Sequence, residues 1–338
     1  MTNVGSGQGT APVSPDDASA SDPAIATRAL TKRFGRQTAV NGIDLTVPRG
    51  AVFGFLGPNG SGKTTSIRML LGLTAATSGD ITVLGEPMPG HLRGVLPRVG
   101  ALVEGPAFYP FLSGTANLHR LDTADRNAPA ATRHGRVALV LERVGLGHAA
   151  DKKVHAYSLG MKQRLGIANA LLRPRELLVL DEPTNGLDPQ GTREVRSLIR
   201  SLAAEGTTVF VSSHLLAEVE QMCTHAAVMS AGTLVAQGTL ADLGRGSEPR
   251  VRLTTPDVDS AVRVLAVLGL TPEPLSSRDA ARGGASITAA CPADQPPAEA
   301  IVAALVAAGV RIRGFVLEEP SLEERFVALT GEGFDVVQ

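Results

Sequence analysis

With 338 residues, the chain has length for about two domains, each able to bury its own core. A formal net charge of -1 excludes the basic excess of a general nucleic-acid binder. The two cysteines, Cys223 and Cys291, lie far apart in sequence and exclude a disulfide framework or a C-x-x-C zinc site, so both read as small core residues.

Residues 1–24 are rich in Gly, Ala, Ser, Pro and Asp and poor in bulky apolar side chains. Burial there cannot offset the entropy of ordering, and a disordered tail is expected. The same stretch lacks the basic and apolar regions of a secretion signal. No apolar run approaches the ~18 to 20 residues of a membrane span. The expectation is a cytoplasmic chain, with another polypeptide crossing the membrane if the work is done there.

From Ala26 to Leu45 the pattern suggests short strands flanking the segment KRFGRQ. Phe34 stands there in a polar setting, where an aromatic ring either stacks on a purine for about 1 kcal/mol or joins the core. Next, the apolar run Val52–Leu56 reads as a buried strand and passes into GPNGSGKTT, residues Gly57 to Thr65. The loop Gly57, Pro58, Asn59, Gly60, Ser61, Gly62, Lys63, Thr64, Thr65 fits G-x-x-x-x-G-K-[ST] at every fixed position. Glycines let successive backbone N–H groups turn toward an anion, and the following helix adds its positive end. Ile67, Leu70, Leu71 and Leu73 give that helix a buried face. Lys63 is then placed to reach the β- and γ-phosphates of a nucleotide, and the Thr64 hydroxyl to ligate Mg²⁺.

A strand is expected over Ile81–Leu84 between two turns. The chain holds nine Phe, two Tyr and no Trp, yet Phe108, Tyr109 and Phe111 fall together beside Pro106 and Pro110. Such a cluster is a docking groove for a partner or the seam where a helical insert packs. Leu118 to Ala156 reads as mainly helical, with Val137, Leu139, Val140, Leu141 and Val144 as its apolar face. Ser158 is expected to N-cap a helix carrying Leu165, Ile167, Ala168 and Leu171. Its first turn holds no acidic residue, so it is either a second place for an anion or a capped helix and nothing more.

Leu177–Leu180 is expected as a buried strand whose C-terminal end delivers Asp181 and Glu182 to the edge where ligands bind parallel sheets. Two carboxylates there are costly unless a cation or a reacting water uses them. Asp181 fits the cation and Glu182 the water. A strand over Thr208–Val211 ends in Ser212, Ser213 and His214, placing His214 where a γ-phosphate sensor would sit. From about Arg250 strands and helices alternate: VRLTT, Val258–Leu268, SITAAC, Ala298–Ala308, Ile312–Leu317 and LEERFVALT. This alternation suggests a small α+β domain, ferredoxin-like in kind.

Taken in order, Gly57 to Thr65, Ser158 to Met161, Leu177 to Glu182, Gly186 to Asp188 and His214 resemble the ATP-binding subunits of ABC transporters. The likeness spans residues 25–245. It implies an α/β fold of the P-loop NTPase kind: a RecA-like core, an antiparallel β subdomain, and a helical subdomain over roughly residues 105–165. The small C-terminal α+β domain, residues 250–330, would follow as an accessory unit for dimer contact or stability. The resemblance also implies that ATP and Mg²⁺ are bound, that Phe34 stacks on adenine, and that Gly57 to Thr65 is Walker A and Asp181 Walker B. Glu182 becomes the catalytic carboxylate, Asp188 the D-loop acid, His214 the switch histidine, and Ser158 and Gly160 the phosphate-facing members of the signature.

Leu159 and Met161 depart from the usual LSGGQ, and Glu104 stands where the Q-loop glutamine is expected, as a carboxylate able to join Thr64 and Asp181 at the metal. These departures, with GALVEGPAFYP and SSHLLAEVE, are similar to the drug and peptide-antibiotic exporter branch, the daunorubicin and bacitracin type. The expectation is a homodimer closing over ATP on the inner face of the cell membrane. It would energise separately encoded transmembrane permease subunits and bind no nucleic acid. The rival readings are an importer ATPase and, further off, a soluble ABC ATPase.

Overall fold

The computed structural model describes residues 22–105, 107–125, 128–244, 250–274, 285–291 and 297–318. Residues 1–21, expected as a tail, Pro106 of the aromatic cluster, and Leu322–Thr330, expected as a helix, lie outside the described residues.

The chain opens with β1 (Ile25–Phe34), β2 (Gln37–Ile43), β3 (Thr46–Val47) and β4 (Val52–Leu56), then α1 (Lys63–Leu70). Next come β5 (Ser78–Val83), β6 (Glu86–Met88), the single turn α2 (Leu92–Val95) and β7 (Val99–Leu102). Three helices follow, α3 (Gly114–Ala124), α4 (Arg133–Arg143) and α5 (Leu159–Ala170). The chain continues through β8 (Leu177–Asp181), α6 (Pro189–Ala204), β9 (Thr208–Ser213), α7 (Leu216–Met222), β10 (His225–Ser230), β11 (Thr233–Thr239) and α8 (Leu240–Gly244). Its last part holds β12 (Arg250–Thr255), α9 (Val258–Val267), β13 (Thr271–Pro274), β14 (Ala285–Ala290), α10 (Ala298–Ala307) and β15 (Gly314–Glu318).

Three sheets result. The first is antiparallel, in the order β2-β1-β5-β6 with β3 paired to β1. The second runs β11-β10-β4-β9-β8-β7; β10, β4, β9, β8 and β7 are parallel and β11 is an antiparallel edge. Every residue of β4, β8 and β9 is buried, the mark of parallel strands covered on both faces. Alternate side chains of one strand feed different cores. Phe53 and Phe55 join Val179, Phe210 and Ile67 on one face, while Val52 and Leu56 join Leu180, Val209 and the helices α4 to α7 on the other. The continuous apolar runs in the sequence therefore serve two cores at once.

Two apolar assignments differ from expectation. Leu73 lies beyond the end of α1 and Leu139 lies on the outer side of α4, and both are exposed. Leu139 is one residue out of step with Val137, Val140 and Leu141, which are buried, so helical periodicity turns it to solvent.

The third sheet, β13-β14-β12-β15, is antiparallel throughout. With α9 and α10 it gives the β-α-β-β-α-β order of a ferredoxin-like unit around Val251, Leu253, Leu265, Ile287, Ile301 and Leu305. The strand β13 was not expected, because Pro272 and Pro274 weaken a strand pattern; it sits at the sheet edge, where proline is tolerated. Cys223 is buried, and burial pushes its thiol up to about 12, as befits a core residue. Cys291 is half-buried against the third core.

Candidate functional site

β4 sits between β9 and β10, so its C-terminal end releases the glycine loop in the middle of the sheet edge. Close approach requires glycine at two positions. A Cβ on Gly57 would lie 2.5 Å from the Met229 carbonyl oxygen and 2.6 Å from Ser61 Oγ, and one on Gly62 would lie 2.5 Å from the Ala39 carbonyl oxygen. Gly62 also takes φ 105, outside the range of ordinary residues, and caps α1 with no side chain of its own. With no acidic residue in the first turn, the helix's leading N–H groups and its positive end face the loop.

Lys63 is almost fully buried, and its Nζ donates to the carbonyls of Gly57 (2.7 Å) and Pro58 (3.2 Å). It also lies 3.5 Å from Glu182 Oε1. Burial lowers the pKa of this ammonium, and the charges of Glu182 and Asp181 oppose that shift.

The strand ends beside the loop supply the acids. Thr64 Oγ1 donates to Asp181 Oδ2 at 2.9 Å, joining the helix start to the end of β8. Ser212 Oγ, at the end of β9, donates to Asp181 Oδ1 at 2.5 Å and accepts the Glu182 N–H at 2.9 Å. Glu182 holds φ 48, a left-handed conformation for a residue that is not glycine. His214 Nδ1 stands 2.8 Å from Glu182 Oε2.

Among the described residues, Ser61 Oγ and Glu182 Oε1 are buried with no hydrogen-bond partner. A glycine cradle with the Ser61 hydroxyl and a buried ammonium suits an anionic ligand, while Glu182 Oε1, ion-paired with Lys63, has a lone pair free for a donor such as water. Phe34, half-exposed, lines the same pocket, and Lys32 Nζ lies 4.8 Å from its ring centre.

The Thr64 hydroxyl and the Asp181 carboxylate form an oxygen-donor pair. Among the described residues no group of three or more His, Cys, Asp or Glu is placed to hold a metal by itself. That pair fits a hard cation such as Mg²⁺, which keeps waters and ligand phosphates for the rest of its shell. Glu104 was expected at this metal, and the structure brings it instead to Arg68 in an ion pair. Arg68 lies in the same helix as Thr64, one turn further on.

Ser158 is the N-cap of α5 as expected, its Oγ accepting the Met161 N–H at 3.2 Å. Asp188 caps α6 in the same way, accepting the Gly191 N–H at 2.9 Å. Pro189 follows at the first helical position, where proline is favoured. Ser158, Gly160 and Asp188 share one groove with Arg164, Gly186 and Glu194. None of the lining residues of that groove lines the glycine-loop pocket.

Sequence reasoning missed Ser212 as the link between Asp181 and Glu182, and it missed the Glu182–His214 contact. No local pattern marks either of them. Of the aromatic cluster, Phe108 packs on the core, as the seam reading expects, while Tyr109 and Phe111 are exposed, 58% and 77%.

The family model for ABC transporters matches residues 40–185. The bacitracin transport ATP-binding protein of Bacillus licheniformis is 45% identical over 241 residues, covering 70% of this chain and 77% of that protein. The daunorubicin resistance ATP-binding protein of Streptomyces coeruleorubidus is 35% identical over 323 residues, covering 92% of this chain and 97% of that one. Among solved structures, cbiO1 of Clostridium perfringens, part of an ABC transporter complex, superposes with a TM-score of 0.60 at 26% identity. It covers 73% of this chain and 96% of its own.

Proposed function

The chain belongs to the ATP-binding subunits of ABC transporters, and from that membership we propose that it hydrolyses ATP to drive a separate transmembrane exporter of a drug, antibiotic or lipid-like molecule. The observation that carries the reading is the meeting of three things at one sheet edge. These are the buried Lys63 in its glycine loop, the Thr64–Asp181 oxygen pair, and Glu182 held against His214. The exporter branch is supported by the likeness to proteins named for bacitracin transport and daunorubicin resistance.

In this reading the loop N–H groups and Lys63 bind the polyphosphate of ATP, and the face of Phe34 takes the adenine ring. Thr64 and Asp181 would hold Mg²⁺, which when bound neutralises charge on the phosphate oxygens. Glu182 polarises the water that attacks the γ-phosphate in line, and His214 fixes the direction of its carboxylate across 2.8 Å. Lys63 stays close to the charge that builds on the γ-phosphate oxygens, so stabilisation needs little rearrangement.

The Ser158 groove lies apart from the glycine loop in one chain. A second copy brings its Ser158 and Gly160 to the nucleotide, and ATP then holds a homodimer together. Among the described residues no helix is long and apolar enough to cross a membrane. In this reading separate permease subunits cross it, and the chain works against them from the inner face. Exposed Tyr109, with Arg120 4.6 Å from its ring centre, and exposed Phe111 offer the aromatic, cationic face for that contact. Residues 25–245 form the ATPase unit and 250–330 the accessory unit.

The test is Glu182→Gln. It should bind ATP as the parent does, turn over roughly 10³-fold more slowly or less, and collect as an ATP-bound dimer in size-exclusion chromatography. Near-parental turnover would remove Glu182 from the mechanism.

A further inference from the structure

Glu218, in the first turn of α7, falls within the SSHLLAEVE stretch but has been given no role, yet its carboxylate joins two loops of the site. Its Oε2 accepts the Thr184 hydroxyl and lies 3.3 Å from Ser213 Oγ. Both hydroxyls are buried, Thr184 at 5% and Ser213 at 1% exposure. Thr184 sits two residues past Glu182 in the turn after β8, and Ser213 immediately precedes His214 at the end of β9. One carboxylate oxygen therefore spans the two loops whose tips make the Glu182–His214 contact. Ser213 Oγ also accepts the Leu215 N–H at 3.0 Å, which holds the backbone on the far side of His214.

The turn has a reason to need bracing. Glu182 at φ 48 is in a sparsely populated conformation for a residue with a side chain, and such a conformation persists only where its surroundings over-determine it. The Ser212 hydroxyl on the Glu182 N–H is one constraint, and the Thr184–Glu218 bond is a second. Glu218 is itself well anchored, because Leu216, Val219 and Met222 of α7 are buried in the core shared with β4 and β9.

We propose that Glu218 is a positioning residue for ATP hydrolysis: it locks the turn carrying Glu182 to the strand end carrying His214, and so sets the aim of the Glu182 carboxylate. The inference rests on Glu182 as the water-polarising group. Glu218 does not line the glycine-loop pocket, so its removal acts on the chemical step and spares nucleotide binding.

The experiment compares Glu218→Ala, Glu218→Gln and Thr184→Val, with ATPase kinetics and equilibrium ATP binding measured on the full chain, and repeats Glu218→Ala on the Glu182→Gln background. Glu218→Ala should lower kcat roughly 10- to 100-fold, the scale of a small misplacement of a catalytic group, with KM for ATP changed less than about twofold. Glu218→Gln keeps an acceptor oxygen for Thr184 and should recover most of the rate. Thr184→Val removes the bond from its other side and should repeat the kcat-selective loss even if Glu218→Ala fails to fold. Once Glu182 is Gln, Glu218→Ala should cost less than about threefold, because the group it aims is already gone. Equal fractional losses in both backgrounds, weakened ATP binding, or an unchanged kcat would each overturn the proposal. If Glu182→Gln itself turns over normally, the functional reading fails. If Glu182→Gln is slow and Glu218→Ala is fast, only the bracing fails.

Discussion

The glycine-loop pocket and the Ser158 groove are made from similar parts, helix starts meeting a loop, but they handle charge in opposite ways. In the first, Lys63, Asp181 and Glu182 lie within reach of one another, and Ser61 Oγ and Glu182 Oε1 are left buried without hydrogen-bond partners. In the second, Ser158 and Asp188 are each committed to capping their own helices, while Arg164, paired with Glu194 at 2.8 Å, ties α5 to α6 and keeps a buried Nε without a hydrogen-bond partner among the described residues. The first region gathers opposite charges around a glycine loop. The second presents capped helix starts beside a guanidinium with a donor to spare, which suit a surface that closes over an anion without reacting with it. In the proposed mechanism, the contrast accounts for a second copy being needed to cover the far side of the nucleotide.

The sharpest way to break this contrast is Lys63→Ala. It deletes the buried cation 3.5 Å from Glu182 and removes the positive charge meant for the phosphates. ATP affinity in a fluorescence titration should fall by roughly 10²-fold or more. Unchanged affinity would mean that the loop is not the phosphate site. Next in size is Ser158→Glu, which sets a carboxylate where the partner copy's phosphates would come. ATP binding to the monomer should stay as it was, while ATP-driven dimerisation and turnover drop by about 10²-fold through like-charge repulsion. Dimerisation at the parental level would show that the groove faces elsewhere. The smallest effect belongs to Asp188→Ala, where the lost cap costs about 1 kcal/mol and lowers the melting temperature by about 2–4 °C. Nucleotide affinity in the glycine loop should not change, and a large affinity loss would count against treating the two regions as separate.

Much of the site was legible in the sequence where the signal is local. The loop and the first turn of α1 are adjacent in sequence, and the Ser158 cap needs only its neighbour three residues on, so composition and spacing sufficed. The buried strands announced themselves as unbroken apolar runs, and the later alternation of strand and helix matched the ferredoxin-like unit apart from the proline-bearing edge strand β13. Charges were harder. Asp181 could be placed from its strand end, whereas a loop carboxylate such as Glu104 has many cations to choose from, and its ion pair with Arg68 could not be read from spacing.

The amino-acid sequence on its own determined the phosphate loop, the Ser158 cap, the strands that would be buried, and the family, since each depends on residues near one another in the chain. The tertiary structure alone decided that Thr64 meets Asp181, that Ser212 bridges Asp181 to Glu182, and that His214 meets Glu182. The physical reason is the strand order. Placing β9 between β4 and β8 brings three loop starts to one edge, and only that arrangement selects which of many equivalent hydroxyls, carboxylates and imidazoles become neighbours.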